Sequence, residues 1–294
     1  YSVFLNETNG LSNGTVNFRH VECEDDLFYE KLNKIQEDLQ KRISYNNSQS
    51  EIAKIIYDYL TSNYIYDHDA LREFGKTDID VHQNLIEYNN QYGSSFNIYG
   101  VVMNKKGVCA GLCQFYRYLL NCFGLEAICV VGFFKQNGNV TNQGHSVVVV
   151  EIDGEYCYVD VAAGVKNCSN LNITFYNKFL VSNDEMYKSF EPLYPEYQYI
   201  NCVDKYSYYN SNKVSFDTIE KLTIYLNSMI NQKKENRIYC RYIGSAIGDE
   251  KLKKLVQDIV GTKKGCQNLF NFVVKDGFIT IKIYQEKRGK RNER

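Results

Sequence analysis

The sequence predicts an α+β protein in which helices pack on an antiparallel sheet, with a small α+β unit at the C-terminal end. Three observations predict it. Apolar residues near the start recur at helical spacing, as in Phe28, Leu32, Ile35 and Leu39. The apolar run Val147–Val150 leads to Asp153-Gly154, a strong hairpin-turn dipeptide, and then to a return strand over 155–161. Beyond Val214 the pattern reads helix, strand, helix, strand, strand, the order of a small α+β unit. The 294 residues, 44% of them hydrophobic, suffice for one sizeable domain and a smaller second one.

Taken in order, residues 1–24 are polar, contain Gly10 and Gly14, and read as an extended lead-in. Asp25 or Asp26 caps a helix running to about Arg42. Ser48-Gln49-Ser50-Glu51 has capping-box form and starts a second helix, with Ile52, Ile55, Ile56, Tyr59 and Leu60 on its inner side. Residues 67–106 have weak periodicity and read as short helices with loops. Gly107-Val108-Cys109 enters a helix over Cys109–Cys122, buried through Leu112, Phe115, Tyr116, Leu119 and Leu120. Gly124 ends it, because a residue without Cβ turns left-handed at little cost. Leu125–Phe134 reads as a buried strand, Lys135–Gly144 as a polar loop, and His145–Ile152 with Glu155–Val161 as a hairpin. Residues 162–212 hold the only prolines, Pro192 and Pro195, and lead out of the first domain. Helices over 217–230 and 249–260, a strand over 237–243 and a hairpin around Asp276-Gly277 complete the chain. The implied boundaries are a main domain with N-terminal helices at 25–200, a connector at 201–213, a small α+β domain at 214–286 and a basic tail at 287–294.

Composition excludes several classes. A formal net charge of −1 creates no field for nucleic acid or an anionic membrane. The basic residues Lys287–Arg294 read as a solvated terminus. No apolar run approaches the ~18–20 residues of a membrane span. The chain begins with Tyr rather than Met, which implies an upstream segment, either a leader or a trimmed end, and an extracellular or cell-surface location is favoured over a cytoplasmic one. The 10 cysteines are too few for a disulfide scaffold. The Cys109-x3-Cys113 pair lacks the partners of a zinc site and the spacing of a redox pair. Asn-x-Ser/Thr sequons at Asn6, Asn13, Asn46, Asn139, Asn167 and Asn172 reflect an Asn-rich composition, itself suited to an AT-rich bacterial genome. His20, His68, His82 and His145 are scattered, and no glycine-rich phosphate loop occurs, so no metal or nucleotide cofactor is expected.

Three residues carry the chemistry. Cys109 starts an apolar helix, where unsatisfied N–H groups and the positive helix end favour a thiolate. Its own N–H is a donor for an oxyanion, and Gly107 and Gly111 leave room for a substrate backbone. His145, at the mouth of a strand, is placed to act as general base or as the imidazolium of an ion pair. With Asp153-Gly154 as a two-residue turn, Ile152 faces Glu155, His145 faces Ala162 and Val147 faces Asp160. Asp160 is then the diagonal neighbour of His145, roughly 7–8 Å away between Cβ atoms, within reach for an orienting hydrogen bond. A one-residue slip puts Asp160 on the other face. Singly, each residue also reads as structural: a buried thiol, a strand-end histidine, a turn aspartate.

Gly107-Val108-Cys109-Ala110-Gly111-Leu112-Cys113-Gln114-Phe115 resembles the nucleophile segment of the transglutaminase-like superfamily. Gly144-His145-Ser146-Val147 and Tyr158-Val159-Asp160 resemble its histidine and aspartate segments, and Asn63-Tyr64-Ile65-Tyr66-Asp67 resembles a lead-in of its bacterial members. The resemblance spans about residues 50–165. It implies a papain-like core with a Cys109–His145–Asp160 triad and no cofactor. The chain departs from the pattern in having no tryptophan and in reading Asp160-Val161-Ala162 where Asp-Pro-Thr is usual. The side chain that assists the oxyanion is therefore open, with Asn97, Tyr99 and Asn104 as candidates.

Two function classes follow. One is a cysteine peptidase, amidase or protein-glutamine acyltransferase acting on a peptide, protein or cell-wall peptide. The other is a non-catalytic interaction module of a surface or adaptor protein, to which the 26 tyrosines lend contact area. The C-terminal unit, without histidine, reads as a packing or interaction domain.

Overall fold

The computed structural model of the chain describes residues 2–4, 17–19, 26–74, 93–165, 174–232, 237–261 and 269–284. His20, His82 and the basic tail lie outside these residues. Within the lead-in, β1 (Ser2–Phe4) and β2 (Asn17–Arg19) form an antiparallel pair.

Two helices open the main body, α1 (Asp26–Gln40) and α2 (Gln49–Asn63). The capping box forms: the Glu51 N–H donates to the Ser48 hydroxyl and the Ser48 N–H to the Glu51 carboxylate. A short strand β3 (Ile65–Tyr66) and helix α3 (His68–Phe74) follow. After a 3₁₀ turn at Gly93–Phe96 come α4 (Ile98–Asn104), β4 (Lys106–Gly107) and α5 (Cys109–Cys122). The strands β3 and β4 pair in parallel, with Tyr66 opposite Gly107.

The central sheet is antiparallel, in the order β8-β7-β6-β5-β9. Its strands are β5 (Ala127–Gln136), β6 (Asn139–Ile152), β7 (Glu155–Val159), β8 (Phe179–Val181) and β9 (Phe190–Pro192). Period-two alternation divides β6 between two cores. Val148, Val150 and Ile152 pack with Leu112, Phe115 and Tyr116 of α5. Val147 and Val149 join Val130, Tyr158 and Phe190 on the opposite face.

Two stretches differ from the sequence reading, and in one of them the return strand ends at Val159 rather than Val161, with 161–165 helical. The other, 135–144, is the tip of the β5–β6 hairpin rather than a loop: Lys135 pairs with Val140 and Gln136 with Asn139. Asn137 (φ 52°) and Gly138 (φ 81°) make the turn, both in the left-handed region that a two-residue type I′ hairpin demands. The Asn-Gly dipeptide carries that signal; the polarity of its flanks masked it.

The C-terminal sheet has the order β10-β11-β13-β12, from β10 (Ser215–Phe216), β11 (Arg237–Tyr242), β12 (Leu269–Lys275) and β13 (Phe278–Tyr284). Helices α6 (Ile219–Gln232) and α7 (Asp249–Gly261) cover it through Leu222, Leu226, Leu252 and Val256. β10 spans two residues, too short to show alternation in a sequence.

An aromatic seam joins this unit to the rest. Tyr176 stacks on Tyr208 at 4.3 Å between ring centroids, Tyr239 meets both edge-on, and Tyr209 packs on Phe278. Beside the seam, the buried Glu185 carboxylate binds Arg241 of β11 at 2.6 Å and Lys188 at 2.9 Å, and Lys178 donates to the Glu185 carbonyl oxygen. Burial opposes ionisation of Glu185, but the Lys178, Lys188 and Arg241 charges outweigh it and hold the carboxyl below its usual range. Replacing Glu185 by Ala leaves partly buried cations unpaired. We expect a loss of about 3 kcal/mol in urea denaturation, and an unchanged midpoint would contradict this account of the junction.

Candidate active site

Helix α5 begins at Cys109, and its N-cap, Val108, offers no side-chain acceptor to the first N–H groups. The entry is pinned from below, where the Val108 N–H donates to Ser95 O at 3.0 Å. Both flanking glycines serve this packing rather than a substrate. A Cβ on Gly111 would lie 2.6 Å from Ser95 O, and one on Gly107 would lie 2.6 Å from the Val101 side chain.

The sheet meets the helix at Ser146. The β6–β7 ladder runs from Ile152↔Glu155 to Val148↔Val159 and stops there. In an antiparallel hairpin of this register, alternate residues of β6 (Ile152, Val150, Val148) turn both N–H and C=O toward β7. Ser146 is next in that series and has no β7 residue opposite. Its two groups are taken by two cysteines one helical turn apart. The Ser146 N–H lies in contact with the Cys109 sulfur, and the Cys113 thiol donates to Ser146 O at 3.1 Å. Cys113 thus clamps the strand beside the histidine, a role its spacing to Cys109 did not disclose.

His145 Nε2 and Asp160 Oδ2 lie 2.8 Å apart, both side chains buried. Asp160 is the first residue beyond the ladder, and its Oδ1 accepts the Ala163 N–H at 2.8 Å. The imidazole is held on its faces as well: Phe134 stacks on it at 3.9 Å and Phe190 approaches edge-on at 6.1 Å. Gly132 stands opposite His145 in the sheet, and a Cβ there would come within 2.7 Å of the Phe190 ring. Because Nε2 is committed to Asp160, Nδ1 is the nitrogen left for the thiol. The contact is looser than a formed hydrogen bond, since Nδ1 has no partner of full hydrogen-bond geometry among the described residues.

Burial alone would push the Cys109 thiol up. The hydrogen-bonding contact and charge of His145, with the Ser146 N–H, outweigh it and bring the thiol below its ordinary range. Burial disfavours charge on His145 too, yet the Asp160 carboxylate raises the imidazole to about 10. Asp160 is lowered in turn: His145, the Ala163 N–H and the Lys178 charge overcome its desolvation. Each shift favours the charged form, with the imidazolium stabilising a thiolate on one side and the carboxylate on the other. Burial instead pushes Cys113, Cys129, Cys157, Cys202 and Cys240 up.

Tyr66 is a fourth member that the sequence reading did not single out as a functional residue. Its hydroxyl lies in contact with both the Cys109 backbone N–H and the Cys109 sulfur. Burial, followed by the Cys109 and Asp160 charges, drives the phenol well above its usual range. Asp67 fixes the tyrosine's strand: it accepts the Ser95 hydroxyl at 2.6 Å and the Ala70 N–H at 3.1 Å, and pairs with Lys106 at 3.1 Å. The signal lay in the parallel pairing of β3 with the residues just before Cys109, a non-local contact without a sequence signature.

Two of the expected oxyanion candidates are engaged elsewhere. The Asn97 carboxamide oxygen caps α4, accepting the Gly100 N–H at 2.9 Å, and Tyr99 packs on Phe28 of α1. Among the described residues no group of His, Cys, Asp and Glu could hold a metal ion, and no helix is long and apolar enough to cross a membrane.

A profile of the transglutaminase-like domain family matches residues 30–187, more than half of the chain, and the chain belongs to that family. Among solved structures it is similar to a crystal structure of a TGase, at 17% identity and a TM-score of 0.39, over 50% of this chain and 35% of that one. It is also similar to a "putative protease" from Parabacteroides distasonis ATCC 8503, at 12% identity and a TM-score of 0.27, over 55% of this chain and 39% of that one. The chain thus aligns with well under half the length of either. No curated protein matches it.

The charge pattern makes reactivity depend on pH in a definite direction. With the thiol lowered and the imidazolium kept up to about 10, iodoacetamide at pH 6 should label Cys109 ahead of every other cysteine, as read by peptide mass spectrometry. Asp160→Asn removes the charge that raises His145, so the midpoint of Cys109 alkylation should move to higher pH. A midpoint that stays put would show that the carboxylate does not tune the pair.

Proposed function

We propose that this protein carries out thiol-dependent acyl chemistry on a peptide or amide bond, as a cysteine peptidase or amidase or as a protein-glutamine acyltransferase. Cys109 is the nucleophile, His145 the acid–base group and Asp160 the residue that orients and charges the imidazole. The observation that carries the reading is the convergence of Cys109, at the start of a buried helix, on His145, whose Nε2 lies 2.8 Å from Asp160 Oδ2.

The chemistry follows from the charge state. The Cys109 thiolate attacks the carbonyl carbon, and the C–S bond forms as the carbonyl π pair moves to oxygen. The Cys109 N–H is the donor nearest the developing oxyanion. On collapse, the C–N bond breaks and the departing amine takes the Nδ1 proton of His145, leaving a thioester and a neutral imidazole. Water or a second amine then attacks the thioester while His145 takes its proton, and the C–S bond breaks with its pair returning to the Cys109 sulfur, giving a free acid or a new amide. Throughout, Asp160 holds Nε2–H and keeps the reactive nitrogen facing the sulfur.

A mixture of glutamine-containing peptides tests the proposal, with new amino termini and released ammonia both measured. Cys109→Ala should lose turnover by roughly 10³-fold or more while keeping the wild-type melting curve. Turnover retained in that variant would sink the enzyme reading. Alkylation of Cys109 no faster than a model thiol at pH 6 would favour the non-catalytic interaction module instead.

A further inference from the structure

We propose that Tyr66 is the side-chain donor of the oxyanion hole, its hydroxyl passing from the Cys109 sulfur to the carbonyl oxygen as negative charge moves between them. The inference rests on the reading of Cys109 as an acyl-accepting nucleophile and adds a catalytic residue to it.

The placement of the phenol supports this. The backbone N–H of the nucleophile, at the start of its helix, is where an oxyanion must sit. In the resting structure Tyr66 pairs with Gly107, two residues before the nucleophile, and its phenol oxygen lies in contact with that N–H. The phenol oxygen therefore marks the position that a carbonyl oxygen takes when the thiolate attacks. The same hydroxyl touches the sulfur, which carries the charge before attack. Both places where negative charge resides along the reaction lie within reach of one O–H. A substrate carbonyl displaces the phenol from the Cys109 N–H, and the phenol then donates to the oxygen that displaced it. Only a hydrogen bond is transferred: the proton stays on tyrosine, the C–S bond forms, and the π pair comes to rest on oxygen between two donors.

The tyrosine is built to stay close. Its backbone pairs with Gly107, two residues before the nucleophile, and the Asp67 N–H donates to Gly107 O at 3.0 Å. Asp67 ties that strand to Ser95 and Lys106. The ring is buried at 9% exposure, with His68 tilted over it at 5.0 Å between centroids. A short swing about the side-chain torsions, with the backbone held, meets the requirement that oxyanion donors be preorganised. In a chain without tryptophan, Tyr66 is a donor already beside Cys109, whereas the Asn97 carboxamide oxygen caps α4 and the Tyr99 ring packs on Phe28.

Two reactions of the same thiol separate the outcomes. Iodoacetamide alkylates sulfur by displacement and forms no oxyanion. 4-Nitrophenyl acetate acylates it through a tetrahedral oxyanion and releases nitrophenolate in a measurable burst. Tyr66→Phe should lower the acylation rate constant about 10²–10³-fold, with alkylation at pH 7 within about threefold of wild type. Loss of both reactions together, faster acylation than wild type, or acylation within threefold of it would each overturn the donor role. Failure of the underlying reading looks different: the wild-type protein gives no burst, or Cys109→Ala keeps it. Should Tyr66→Phe not fold, Tyr66→His retains a ring and a donor. Acylation in that variant should stand above that of Tyr66→Leu, and equality between the two would overturn the proposal.

Discussion

The peptide group of Ser146 is the joint on which the site depends. Where β7 ends, β6 is left with an unpaired N–H and C=O, and a buried unpaired backbone group costs free energy comparable to a lost hydrogen bond. Helix α5 fills that gap with its first turn, the Cys109 sulfur facing the N–H and the Cys113 thiol donating to the C=O. Satisfying the strand edge thereby brings the Cys109 sulfur to the residue next to His145. The same arrangement explains how a helix packed on one face of the sheet reaches a histidine whose strand neighbours Val147 and Val149 belong to the other: contact is made around the edge that β7 vacates.

Charge burial is the second constraint. Cys109, His145 and Asp160 are each 8% exposed or less, so an ionised array must find compensation inside the protein. Asp160 receives it from His145, the Ala163 N–H and the nearby Lys178 charge. Lys178 is itself anchored, because its carbonyl oxygen accepts the Asp160 N–H at 2.9 Å while its ammonium turns to Glu185. Glu185 in turn holds Arg241 of the C-terminal sheet. The two sheets are therefore linked through a line of alternating charge that ends at the carboxylate behind the imidazole, which gives the histidine-free C-terminal unit an electrostatic as well as a packing tie to the main body.

Much of this was legible in the sequence, for identifiable reasons. Helix α5 announces itself through Leu112, Phe115, Tyr116, Leu119 and Leu120, and the β6–β7 register through Asp153-Gly154, whose positive φ angles of 51° and 81° only a short list of residues tolerates. Local signals of this kind set the ladder as far as Val148↔Val159, but the His145–Ala162 pairing that the register implies does not form, because the chain turns into a helix at 161–165. What escaped was non-local or concealed. Asn137-Gly138 was hidden by polar flanks on an exposed ribbon tip. Gly107 and Gly111 looked like openings for a ligand, whereas the space beside them belongs to Ser95 and Val101. Tyr66 and Cys113 act through contacts between segments far apart in the chain, and neither carries a pattern that periodicity or spacing can expose.

The distribution of donors around the sulfur poses a problem that the tyrosine resolves. Every hydrogen bond to a thiolate stabilises the ground state, and a more stabilised thiolate is a poorer nucleophile. The Ser146 N–H is a fixed donor: it belongs to a strand and stays with the sulfur when the charge leaves. The Cys109 N–H is fixed as well, but it faces the site of the oxyanion. Only a side-chain donor can serve the sulfur at rest and the oxygen afterwards, so its stabilisation is not lost to the barrier. Catalysis needs interactions that are stronger in the transition state than before it. Of the described groups in contact with the Cys109 sulfur, the Tyr66 hydroxyl combines a rotatable donor with a position already beside the Cys109 N–H.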